Sequence, residues 1–122
     1  MSLKYKGEIV TINNKEYNIL FTVNVIDNLE EHFKESISAE SLKKWLFKDK
    51  NIINYHNLAL ILWTLVSENV EIKRFNKEEC EDVQLEEVRM EINTVNADEY
   101  LVKIITAFLG SFKMGEEDCP NK

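Results

Sequence analysis

Two short runs in which large apolar residues alternate with polar ones open the chain. Glu8-Ile9-Val10-Thr11-Ile12 and residues 16–23 flank Asn13-Asn14-Lys15, and asparagine tolerates the left-handed backbone that a tight hairpin turn demands. The pattern predicts a β-hairpin. In its second strand Tyr17, Ile19, Phe21 and Val23 share one face, opposite Asn18, Leu20 and Thr22, so the first face requires a helical cover.

From there the apolar spacing changes from two to between three and four. Asn24, with Asp27 three residues on, is placed to cap a helix in which Val25, Ile26, Leu29 and Phe33 lie on one side, ending near Phe33 or Lys34. Ser38 is the next cap, before Ala39, Leu42, Trp45 and Leu46, and Lys48-Asp49-Lys50-Asn51 reads as a loop. A third helix spans residues 54–67, where Tyr55, Leu58, Ala59, Ile61, Leu62, Trp63, Leu65 and Val66 occupy well over half of the wheel. That width marks a central helix packed on more than one side. Val70, Ile72 and Phe75 alternate with charged residues and predict an extended piece, such as a short edge strand. Leu85, Val88, Ile92 and Val95 form a narrow stripe on an otherwise polar helix. Asn96 with Glu99 forms a further capping box that opens a last helix through Phe112. The expected fold is α+β, mainly α: one small domain over residues 1–122, with a hairpin at about 8–23, four to five helices at about 24–112 and a frayed tail at 113–122.

Composition narrows what such a domain does. The 122 residues suffice for one hydrophobic core, and only 3 Gly and 1 Pro agree with long helices. With 22 acidic against 15 basic residues the net charge is −7, so a phosphate backbone would be repelled and nucleic-acid binding is disfavoured. The charge is local. Residues 77–99 hold nine acidic and two basic side chains, which accounts for all of it, while the rest balances at 13 against 13. Cys80 and Cys119, 39 positions apart, make no CxxC pair and suit a reducing cytosol. No apolar core follows Lys4 and Lys6, so no signal peptide is expected. The uncharged stretch 51–67 is interrupted by Asn54, His56 and Asn57 and falls short of the roughly 20 apolar residues of a bilayer span.

No reactive constellation emerges from the pattern. His32, His56, Cys80 and Cys119 are too scattered to converge on a metal, and the acidic stretch lacks the glycine and Asp/Asn alternation of a calcium loop. No GxSxG frame or phosphate-cradling glycine loop is present. The pairs Glu78/Glu79 and Glu86/Glu87 read as solvated carboxylates. The expectation is a protein without catalytic, metal or cofactor-binding residues. A hydrolase or transferase built on His56 would require a pocket around it.

Two features exceed what a small core needs. The apolar residues of the last helix, from Tyr100 to Phe112, cover roughly 220° of its wheel, with Val102 and Leu109 at the far edge. Either two neighbouring elements bury this helix completely, or part of it meets another chain. Leu60, between Asn57 and Thr64, is a lesser candidate of the same kind. The acidic helix is either a solvated face or, through Glu86 and Glu87, a docking surface for a basic partner. The candidate protein-binding residues are therefore Tyr100, Val102, Ile105, Leu109, Phe112, Leu60, Glu86 and Glu87.

The run from Ile12 to Phe33, INNKEYNILFTVNVIDNLEEHF, resembles the hairpin and "L-E-E" helix that open the tail assembly chaperones of long-tailed, siphovirus-type bacteriophages and prophages. Leu58-Ala59-Leu60-Ile61-Leu62-Trp63 and Val83-Gln84-Leu85-Glu86-Glu87-Val88 are similar to that family's apolar helix and its "T-L-E-E-V" entry into an acidic helix. The likeness runs from about Glu8 to Phe112. It departs at Lys34-Glu35-Ser36-Ile37-Ser38, where the family carries a Gly-Lys turn, and at Gln84, where it carries Thr or Ser. The resemblance implies a non-enzymatic assembly factor in the cytoplasm of the bacterial host, absent from the mature virion and without cofactor. Such a factor coats the tape measure protein and helps recruit tail-tube subunits. On this likeness the chain corresponds to the short form, which a frameshift extends in many relatives, and its terminal helix is also a place for self-association. The alternative from the residues alone is a small acidic inhibitor or adaptor that engages a basic protein.

Overall fold

The computed structural model describes residues 6–117, with side chains described for residues 6–112. The fold is α+β and mainly α. Strands β1 (Glu8–Ile12) and β2 (Lys15–Ile19) form an antiparallel hairpin, and five helices follow: α1 (Val23–Phe33), α2 (Ala39–Leu46), α3 (Tyr55–Phe75), α4 (Leu85–Glu91) and α5 (Ala97–Glu117). No helix among the described residues is long and apolar enough to cross a membrane.

Ile12 pairs with Lys15, which leaves Asn13 and Asn14 as a two-residue turn with φ of 55° and 67°. Both left-handed angles match the twist of the strands, and asparagine accepts them with little strain. Glycine accepts them more readily, whereas a β-branched residue does not. Asn14→Gly is therefore expected to keep or raise the thermal midpoint, and Asn14→Val to lower stability by about 1–2 kcal/mol, read by urea unfolding. Equal stability of the two variants would refute this account of the turn.

The hairpin buries Val10, Ile12, Tyr17 and Ile19. Phe21 continues the buried face beyond β2, but Val23 does not: it is exposed and already helical. The cap of α1 is Thr22 rather than Asn24. Its hydroxyl accepts from the Val25 amide at 3.3 Å and donates to Glu68 at 2.9 Å, so a contact from α3 fixes the chain's entry two residues early. Ser38 caps α2 as expected, in a reciprocal box with Ser41.

Helix α3 is the centre of the domain and packs on β2, α4, α1, α2 and α5. Leu58, Ile61, Leu62, Leu65 and Val66 are almost wholly enclosed. It runs through the stretch that the sequence assigns to an edge strand. Val70 continues the i, i+4 row from Val66 into the core, and the buried Asn69 accepts the Asn18 amide of β2 at 3.0 Å. Ile72 and Phe75 lie on the outer side. The helix ends in a Schellman turn: Lys77 is left-handed (φ 68°), its amide donates to the Arg74 carbonyl, and the Glu78 amide donates to that of Lys73.

The acidic helix is also shorter than the charge pattern suggests. Residues 78–84 are not helical. Only Leu85–Glu91 form α4, and only Val88 of the expected stripe is fully buried. Leu85 and Ile92 are partly buried, while Val95 is exposed in the turn before α5. That turn is knitted by side chains: Asn93 accepts the amides of Val95 and Asn96, and Asn96 donates to the Glu91 carbonyl and accepts the Asn93 amide. Asn96 thus opens α5 by holding the preceding loop. The last helix extends to Glu117, so residues 113–117 are helical and not a frayed tail. The remainder of that expected tail, residues 118–122, lies outside the described residues.

Candidate protein-binding surface

Helix α5 lies against β1 and α3 with one face buried: Ala97, Leu101, Ile104, Ala107 and Phe108 enter the core. Phe108 meets Phe21 edge-on at 5.5 Å between ring centroids, and the Ser111 hydroxyl accepts the Phe21 amide at 3.2 Å. Two such anchors hold the C-terminal half of the helix on the segment that leaves the hairpin.

The outer flank stays exposed, although the Phe112 ring leans on Phe108 at 4.6 Å between centroids. Val102, Ile105, Leu109 and Phe112 retain 61, 37, 53 and 41% of their accessible surface. Their spacing of three, four and three residues aligns them in one stripe along the helix. Of the two sequence readings of this helix, the one in which neighbours bury it completely is set aside: the domain covers only one side. Four large apolar side chains in a row on water is the kind of surface that marks a protein contact.

Tyr100 does not belong to this stripe. It is buried against the hairpin, and its hydroxyl donates to the Thr11 carbonyl at 2.9 Å. The wheel placed it near the stripe, but β1 covers it. Burial, reinforced by the carboxylates of Glu91 and Glu99, pushes its hydroxyl up to about 12. The unfolded chain ionises tyrosine at about 10. Between these values the unfolded state has lost a proton that the folded state keeps, so the contribution of Tyr100 is full below about pH 10 and is lost as pH rises towards about 12. Urea unfolding at about pH 9 and pH 11 should show a larger alkaline loss for the native chain than for Tyr100→Phe. Identical losses would contradict this assignment.

Leu60 lies elsewhere. It lines a groove of about 430 Å³ formed by α1, α3 and the segment before α4, to which α5 contributes no residue. Leu60, Trp63 and Val83 give the groove its apolar floor, and Glu68, Glu71 and Asp82 its acidic edge. Trp63 builds one wall by donating its indole N–H to the Val83 carbonyl at 2.7 Å. Arg74 ties the same segment down, with its Nε donating to the Cys80 carbonyl at 2.8 Å and its Nη2 pairing with Asp82 at 2.9 Å. Three separated stretches meet here, and nothing local in the sequence announces it beyond the spare Leu60.

Glu86 and Glu87 are exposed in the first turn of α4, where carboxylates favour the positive end of the helix dipole. His56 is exposed in the first turn of α3, in a shallow depression with Arg89 and Asn93. Among the described residues, no three His, Cys, Asp or Glu side chains are placed to hold a metal ion. Comparison with protein families, with curated proteins and with solved structures finds no match to this chain.

Proposed function

We propose that this protein acts by binding rather than by catalysis, as a phage tail assembly chaperone that covers apolar helical segments of the tape measure protein and helps bring tail-tube subunits to it. One observation carries the reading: the exposed stripe Val102, Ile105, Leu109 and Phe112 on the terminal helix. A helix with a row of apolar side chains at turn spacing is complementary to an amphipathic helix of a partner, which would bury the same kind of row against it. The resemblance of the hairpin and first helix to that family supports the same reading. The acidic surface, with nine carboxylates in residues 77–99, would keep the resulting complex in solution.

The reading places the protein in the cytoplasm of an infected or lysogenic bacterium, absent from the finished particle. The alternative of an acidic inhibitor is less well supported, because the carboxylates are divided among a non-helical segment, a helix of seven residues and the first turn of α5 rather than arrayed on one long face. The test is co-expression with a tape measure protein from the same genome. The soluble fraction of that long chain should rise several-fold, and the two should co-purify through a tag on either one. A tape measure protein that stays equally insoluble with and without this chain would end the proposal.

A further inference from the structure

The groove between α1 and α3 and the loop between α2 and α3 are complementary in charge and both carry apolar residues, although they lie at different places on one molecule. The groove has a floor of Leu60 and Trp63 and an edge of Glu68, Glu71 and Asp82. Arg74 offsets part of that charge, through Asp82 and, at 3.6 Å, Glu71. A net negative, half-apolar slot remains.

The loop is its converse. Between Lys43 and Lys50 the chain has four lysines and one aspartate, and Ile52 stands 56% exposed just after them. Glu35 engages Lys44 at 2.7 Å, which leaves Lys48 and Lys50 beside the exposed Ile52, with Lys48 opposite it across the turn. The loop is a preformed projection. The Lys48 amide donates to the Ile52 carbonyl at 2.7 Å, the Asn54 amide donates to the Leu46 carbonyl at 2.8 Å, and Phe47 and Ile53 pair across its base. This closure, and the absence of any 48–52 residue from the groove lining, leaves both faces of a molecule available to others.

We propose that the groove receives the 48–52 loop of a second copy of this chain, Ile52 resting on Leu60 and Trp63 while Lys48 and Lys50 meet Glu68 and Glu71. The two faces differ, so the contact is head-to-tail, and each added copy exposes a fresh loop at one end and a fresh groove at the other. Apolar burial at the centre with charges at the rim makes the association both specific and sensitive to salt. This inference does not rest on the chaperone reading, since it uses neither α5 nor any partner protein.

Sedimentation of the full chain tests it. At low salt the weight-average mass should climb with concentration beyond that of a dimer, and about 1 M salt should weaken the association roughly tenfold or more. Lys48→Ser with Lys50→Ser and Ile52→Ser changes only exposed loop positions, so the fold is kept and the chain should remain monomeric. Leu60→Arg with Glu71→Lys should do the same from the groove side. Mixing the two variants should restore one productive contact and stop at a 1:1 dimer. A native chain that stays monomeric throughout would overturn the proposal. So would a loop variant that associates like the native chain, a mixture that fails to pair, or association abolished only by Val102→Glu with Leu109→Glu.

Discussion

Replacing Val102 and Leu109 together by glutamate should abolish the solubilisation of a tape measure protein while leaving the fold of this chain intact. Both positions are more than half exposed, so neither carboxylate is forced into the core, and the thermal midpoint should move by no more than a few degrees. At an interface the balance is different. Burying each aliphatic side chain contributes about 1.5–3 kcal/mol, and a carboxylate enclosed there adds a desolvation cost. A combined loss of about 4 kcal/mol or more corresponds to roughly a thousandfold weaker binding. Ile104→Glu, two positions from Val102 on the enclosed face, is the opposite control, because it should unfold the domain outright. Raising salt to about 1 M should leave the native complex in place, since apolar burial is not screened. Charge reversal at Glu86 and Glu87 should likewise leave it intact. Complex formation that survives the double glutamate variant but is lost on charge reversal would instead favour the acidic adaptor.

The reach of sequence reasoning in this chain follows the range of the interactions involved. The hairpin was legible because its determinants are local: alternation in both strands and two asparagines whose backbone preference closes the turn. The α5 stripe was legible because one helix wheel contains it, and only the outcome for Tyr100 depended on β1, nearly ninety residues earlier. Helix ends were less visible. Both α1 and α3 stop on left-handed lysines, Lys34 and Lys77, where glycine would have announced the stop. The cap at Thr22 depends on Glu68, and the buried Asn69 depends on Asn18, so no local window reports either. The groove was hidden for the same reason, its walls coming from residues 28–32, 60–71 and 82–83.

The stretch from Val70 to Phe75 decides between the two readings of α3 through a large contrast in stability. In a strand Val70 and Ile72 would point to the same side and respond alike. In a helix they are about 200° apart, and here Val70 is 1% exposed while Ile72 faces outward. Val70→Asp removes about 1.5–3 kcal/mol of burial. It also introduces an enclosed charge close to Glu68 and Glu71, at a further cost of several kcal/mol. The total rivals the roughly 5–15 kcal/mol by which a domain is stable, so the variant should lack a cooperative urea transition and lose most of its helical circular dichroism. Ile72→Asp should change the unfolding free energy by about 0.5 kcal/mol, and Phe75→Asp by no more. The contrast is independent of how strongly the domain folds, because all three variants introduce the same group within six residues of one another. Its source is the direction in which α3 turns Val70, inward on the side that faces Leu29 and Val83, and the consequence reaches function. With that half of the helix unfolded, Glu68 no longer holds Thr22, the segment carrying Phe21 loses its anchor, and α5 has no surface on which to display its outer stripe.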